Sequence, residues 1–116
     1  MSNASGNAPA GECVVLVRRL IKPEREQDFV AWYKAQPPVT AAGFLGKTLS
    51  KLDAAMDLPP ALNSFHIAGN PGSVTYVIVE RWASVEQFKA YVPKASTGDQ
   101  DQFEAGARQR AILAVV

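Results

Sequence analysis

The chain has 116 residues, 47% of them hydrophobic and 20% charged, and its formal net charge is +1. This composition is typical of one globular domain with a single core, and the small net charge gives no field that would attract nucleic acid or anionic lipid. No apolar run approaches the ~20 residues needed to span a membrane.

Residues 1–12 are mostly Ser, Asn, Ala, Gly and Pro, without the basic and apolar segments of a signal peptide. We therefore predict a disordered lead-in, one domain over residues 13–116, and a cytoplasmic location by default. Cys13 is the only cysteine, so no intrachain disulfide can form. It is expected to be a small buried side chain rather than a catalytic thiol.

The first strand and the first helix follow from residue type. Residues 13–21 are rich in β-branched side chains and predict a strand. Pro23 opens a helix at its first position, where the missing N–H costs nothing, and two prolines end that helix near Gln36. The apolar face of the helix has the spacing i, i+3, i+4 and consists of Phe29, Trp32 and Tyr33.

The middle of the chain predicts two further strands around a less regular segment. Residues 44–52 alternate moderately well and predict the second strand. Residues 53–72 contain several breakers, with 64–67 compatible with a short strand, and the segment is longer than a simple hairpin loop. Residues 74–82 predict the third strand.

The end of the chain predicts two helical segments and a last strand. Ser84 is the predicted N-cap of a helix, and Gln87 completes a capping box. Residues 99–107 are predicted to be helical, and residues 111–116 to form the final strand. The element order β-α-β-β-α-β is the ferredoxin-like arrangement, an α+β fold with an antiparallel sheet and both helices on one face.

The predicted sheet is apolar on both faces, which indicates a partner. In the first strand Val14 and Leu16 point one way, while Val15 and Val17 point the other. Two helices cover only one face, and an antiparallel sheet whose other face met water should alternate apolar and polar residues. We therefore expect a homodimer joined through the open sheet face.

The junction of the third strand with the second helix carries a family resemblance. It reads Val-Glu-Arg-Trp up to Trp82 and then Ala-Ser-Val-Glu-Gln-Phe, and it is accompanied by Lys22-Pro23 and by Gly-Phe-Leu-Gly over residues 43–46. In these features the chain resembles the antibiotic biosynthesis monooxygenase-like family of dimeric α/β-barrel proteins. The resemblance implies a homodimer whose sheets face each other, with a pocket in each subunit between sheet and helices.

The same resemblance suggests a function. Members include cofactor-independent oxygenases of polycyclic aromatics and haem-degrading oxygenases, whose iron-binding histidine lies on the helix after the tryptophan. Residues 85–92 contain no histidine, which disfavours haem degradation. The leading hypothesis is a cofactor-independent monooxygenase of a small aromatic or quinol-like metabolite. The alternative is a non-enzymatic homodimeric ligand-binding or regulatory module, and haem binding through His66 is a third.

Five residues are candidates for the site. Trp82 and Tyr33 would bind a flat substrate, although both could instead be core aromatics. His66, the only histidine, could transfer a proton or could lie on the surface. Arg18 and Arg19 lie on opposite faces of the first strand. One of them could stabilise a substrate anion, or form a structural ion pair or a dimer contact.

An inward-facing arginine needs a carboxylate partner, and the candidates are Glu24, Glu26 and Glu80. Other chemistry is not supported. Residues 41–48 approach the phosphate-loop pattern, but they lack its first glycine and open a strand instead of a helix. The sequence has no clustered metal ligands and no hydrolase triad motif, so we predict neither metal nor cofactor.

Overall fold

The computed structural model describes residues 11–52, 59, 61–62, 72–92 and 102–116. Its elements in chain order are β1 (Cys13–Ile21), a 3-10 turn (Pro23–Arg25), α1 (Glu26–Ala35), β2 (Phe44–Lys51), β3 (Val74–Trp82), α2 (Val85–Tyr91) and β4 (Gln109–Ala114). All strand pairs are antiparallel, in the order β2-β3-β1-β4. The predicted ferredoxin-like topology is confirmed.

Two predictions near the C-terminus were wrong. Residues 102–107 form no α-helix, because Phe103 and Ala105 bond to the end of β1: the Lys22 N–H donates to Phe103 O at 2.9 Å, and the Ala105 N–H donates to Leu20 O at 2.7 Å. This pairing overrides the local helical preference. β4 starts at Gln109, two residues before the predicted start. The strand predicted at 64–67 lies outside the described residues.

The register of β1 against β3 sorts the side chains between the two faces of the sheet. Cys13 lies opposite Trp82, and Arg19 lies opposite Tyr76. Because successive side chains alternate, the odd-numbered residues of β1 face the helices and the even-numbered ones face away. The helix-facing set includes Cys13, Val15 and Val17, all buried.

Two aromatic clusters hold the helices on the sheet. Trp82 is fully buried, with the rings of Phe44, Phe88 and Tyr91 at centroid distances of 5.2, 5.7 and 5.1 Å. Phe29 of α1 is the centre of the second cluster, 5.2 Å from Tyr76 and 5.9 Å from Phe103. Edge-to-face and tilted contacts of this kind add to the burial of apolar area.

The start of α2 is fixed to the turn before β2. Ser84 is the N-cap, as predicted, and its Oγ accepts from the Gln87 N–H at 3.2 Å. The Gln87 side chain accepts from the Ser84 hydroxyl at 3.1 Å. It also lies where a Cβ on Gly43 would be, and Gly43 has φ +86°. Glycine is required at that turn, because a side chain would meet Gln87 and strain the backbone.

Among the described residues, no helix packs on the opposite face of the sheet. Its centre is apolar, with Val14, Leu16, Val77 and Val79 on the neighbouring strands β1 and β3. Gly11 and Glu12, which the sequence assigned to the lead-in, hydrogen-bond to Val115. The Val115 N–H donates to Glu12 O at 2.9 Å. Within the described ranges, no helix is long and apolar enough to cross a membrane.

Candidate functional site

A cavity of about 630 Å³ lies between the sheet and the two helices. Its floor is the helix-facing side of β1 and β3, where Val17 and Ile78 are neighbours. Aromatic side chains from both helices line it, namely Trp32, Tyr33, Phe88 and Tyr91. The charged residues of the lining, within the described part of the chain, are Arg19, Lys47, Glu80, Arg108 and Arg110. This combination suits a flat ligand with polar ends.

Glu80 lies in the part of the cavity formed by β2 and β3. It is the direct cross-strand neighbour of Lys47. Its Oε1 accepts a hydrogen bond from the Trp82 indole Nε1 at 3.0 Å. The buried tryptophan therefore sets the position of the carboxylate and satisfies one of its two oxygens.

Tyr33 of α1 lies in the same part of the cavity. The Lys47 Nζ is 4.6 Å from the centroid of its ring. The Tyr33 hydroxyl is buried and finds no hydrogen-bond partner within the described part of the chain. Burial, and then the negative charge of Glu80, raise the pKa of Tyr33 to about 12. The hydroxyl is therefore protonated at neutral pH and is a donor rather than a base.

Arginine side chains occupy the part of the cavity nearest β4. Arg19 is 1% exposed, its Nε donates to Glu104 Oε2 at 3.3 Å, and its Nη2 lies 3.2 Å from Glu104 Oε1. The Nη2–Oε1 distance is that of an ion pair, but the N–H groups of Nη2 do not point at the oxygen as a hydrogen bond requires. Arg108 bonds to the same carboxylate, with its Nη2 2.7 Å from Oε1. Burial lowers the pKa of Arg19, and Glu104 opposes that shift.

Of the five residues predicted for the site, Tyr33 and Arg19 line the cavity. Trp82 is packed behind the lining and contacts it through Glu80. Arg18 lies on the opposite face of the sheet, since it alternates with Arg19 in β1. His66 lies outside the described residues. The carboxylate partner of Arg19 is Glu104, so the expected partners Glu24, Glu26 and Glu80 were wrong.

Three cationic lining residues were missed from the sequence. Arg110 lies in β4 and Arg108 directly precedes that strand, but the strand was predicted to start at residue 111. The sequence assigned Lys47 to β2 without giving it a role. Its place in the alternation of side chains along that strand was the signal that could have put it in the cavity. Glu80 was considered only as a partner for an arginine.

No family model and no curated protein matches the sequence. The fold does match solved structures. A candidate antibiotic biosynthesis monooxygenase from Nitrosomonas europaea superposes with a TM-score of 0.63 at 11% identity, and the match covers 95% of each chain. A conserved protein from Methanosarcina mazei Go1 gives 0.60 at 12% identity, covering 89% of this chain and 91% of that one.

A third structure, a candidate antibiotic biosynthesis monooxygenase from Caulobacter crescentus CB15, gives a TM-score of 0.55 at 20% identity, covering 92% of each chain. The chain therefore has the ferredoxin-like fold seen in antibiotic biosynthesis monooxygenase-like proteins. The resemblance read from the strand–helix junction at Trp82 is confirmed for the fold.

The Glu104 ion pairs predict a large effect on stability. Replacing Glu104 with Gln removes the charge that neutralises Arg19, which is 1% exposed. We expect Glu104→Gln to lower the free energy of unfolding by about 3–5 kcal/mol, measured by urea denaturation. Glu86→Gln, on an exposed position in the first turn of α2, is the matched control and should change it by no more than about 1 kcal/mol, because only the interaction with the helix dipole is lost. Equal effects of the two changes would contradict this role.

The raised pKa of Tyr33 predicts a loss of stability at high pH. The unfolded phenol ionises near its ordinary pKa of 10.0 and the folded one near 12, so the unfolded state loses its proton first. The contribution of the Tyr33 hydroxyl to the free energy of unfolding is complete below pH 10 and is lost as the pH rises to about 12. Tyr33→Phe should therefore make the decline in unfolding free energy between about pH 9 and about pH 11.5 shallower. An unchanged slope would be the contrary result.

Proposed function

We propose that the protein is a cofactor-independent monooxygenase of a small phenolic or quinol-like aromatic compound. The observation that carries the proposal is the grouping of Glu80, Tyr33 and Lys47 around one end of an aromatic-lined cavity. A carboxylate, a protonated phenol and an ammonium group are the groups needed to form and hold a phenolate. Two of the structures that share the fold are candidate antibiotic biosynthesis monooxygenases.

The reaction begins with loss of the substrate's phenolic proton to Glu80. The Tyr33 hydroxyl donates to the resulting oxyanion, and the Lys47 charge stabilises it. The electron-rich ring then reacts with dioxygen, and the substrate supplies all the electrons. In the net reaction, a phenol and dioxygen give a quinone and water. A ring C–H bond and the phenolic O–H bond break, one oxygen atom becomes the new carbonyl, and the other leaves as water.

Trp82 has a positioning role in this proposal. Its indole Nε1 bonds to Oε1 of Glu80, which leaves Oε2 to take the proton. Burial among three aromatic rings keeps the indole in one orientation. The role of His66 in proton transfer stays a prediction from the sequence.

Oxygen uptake tests the proposal. With a panel of hydroquinones and phenols, we expect consumption of equal molar amounts of oxygen and substrate above a boiled control. Tyr33→Phe should lower kcat roughly a hundredfold, because it removes one donor to the oxyanion. Tyr76→Phe is the matched control, since Tyr76 is buried outside the cavity and donates to Glu26, and it should leave kcat within about twofold.

Two outcomes would count against the oxygenase. If no substrate consumes oxygen above the boiled control, the proposal fails, and retained ligand binding would then favour the binding-module alternative. Equal losses of kcat in Tyr33→Phe and Tyr76→Phe would remove Tyr33 from the reaction.

We further propose that the protein is a homodimer joined through the open face of the sheet. Val14, Leu16, Val77 and Val79 form an apolar centre on that face, and the helices pack on the other one. An antiparallel sheet facing water would carry polar residues there. Val77 is already buried within the chain, and a second copy would cover the half-buried Val14, Leu16 and Val79 under a two-fold axis.

Sedimentation velocity tests the dimer. We expect the mass of two chains at micromolar concentration, and Val79→Arg should produce a monomer by placing a charge in the apolar centre. Ala90→Arg, on an exposed position of α2, is the control and should leave the dimer intact. A monomeric wild-type chain would overturn this proposal.

A further inference from the structure

The two ends of the cavity differ in charge. Among the described lining residues there are four cations, Arg19, Lys47, Arg108 and Arg110, and one carboxylate, Glu80. Glu104, beside the lining, contacts two of the arginines. The end formed by β1 and β4 therefore has three guanidinium groups against one carboxylate among the described residues.

Arg110 is the cation at that end which Glu104 does not reach. It lies opposite Val17 in the β1–β4 pair, so it points to the same side of the sheet as the cavity floor. No ion pair joins it to a residue in the described part of the chain. Arg110 is also exposed, so its guanidinium is accessible from solvent.

From this arrangement we infer that the β4 end of the cavity binds a carboxylate group of the ligand, with Arg110 as the main contact and Arg108 as support. A guanidinium presents parallel N–H donors that match a planar carboxylate. Glu104 holds Arg108 through its Nε and Nη2, so that side chain is already ordered before the ligand arrives.

The carboxylate site defines the substrate class of the proposed reaction. It depends on the proposed function only for the assignment of which end of the ligand reacts. Glu80 lies on β3 and Arg110 on β4, with β1 between them. Two strand spacings separate them by about 10 Å across the sheet. The ligand is therefore an aromatic acid, with its phenol at the Glu80 end and its carboxylate at the opposite end.

A binding measurement without oxygen chemistry tests the carboxylate site. The probes are para-hydroxycinnamate, which has a phenol and a carboxylate at opposite ends, and its methyl ester, which keeps the phenol and lacks the charge. By isothermal titration calorimetry, we expect the acid to bind about tenfold more tightly than the ester. This is the difference that one charge-assisted hydrogen bond produces.

Arg110→Gln should reduce that preference to within about twofold, because it weakens the binding of the acid and leaves the binding of the ester unchanged. Lys89→Gln is the matched control, because it removes one positive charge from an exposed position of α2 outside the cavity lining. It should leave both Kd values unchanged. Thermal melts of each variant check that the fold is retained.

The inference is overturned if the acid and the ester bind equally, if the acid fails to bind at millimolar concentration, or if Lys89→Gln weakens the acid as much as Arg110→Gln does. Its failure is distinguishable from failure of the oxygenase. A tenfold preference for the acid without oxygen uptake would remove only the reaction. Oxygen uptake with neutral and acidic phenols alike would remove only the carboxylate site.

Discussion

The pairing of β1 with β3 is the constraint on which the rest of this molecule depends. With Cys13 opposite Trp82, the register assigns each residue of the central strands to the helix face or to the open face. A shift of β1 by one residue would exchange the two faces of that strand, because side chains alternate along it. Arg18 would then enter the cavity in place of Arg19, while Glu80 on β3 would stay on the helix face.

Charged side chains on the helix face are tolerated because other side chains neutralise them or donate hydrogen bonds to them. Glu104 comes from a segment that bonds to the end of β1, and it neutralises Arg19. Trp82 donates to Glu80 from within the aromatic cluster. An unpaired buried charge would cost several kcal/mol, so these contacts make a polar cavity compatible with a stable core. The centre of the cavity floor stays apolar, with Val17 and Ile78.

Much of the fold was predictable because local patterns agreed with tertiary packing. β1 and β3 have the predicted bounds, and Ser84 caps α2 as the sequence indicated. The segment at 102–107 was not predictable from helical propensity, since its backbone bonds to a strand more than eighty residues earlier. For the candidate site, Tyr33 was found because the spacing of apolar residues along a helix indicates which side faces inward. The sequence left open which of Arg18 and Arg19 enters the cavity, and the register of β1 decided it.

The sequence by itself determined the element order, the ferredoxin-like class and the apolar character of both sheet faces. These depend on residue type and on periods of two or three to four residues, which are local properties. Only the tertiary structure decided which charged groups meet: Glu104 with Arg19 and Arg108, and Glu80 with Trp82. Those contacts depend on strand register and on the bonds that join Phe103 and Ala105 to the end of β1. Neither can be read from the spacing of residues along one element. The difference in charge between the two ends of the cavity therefore arises only when the sheet is assembled.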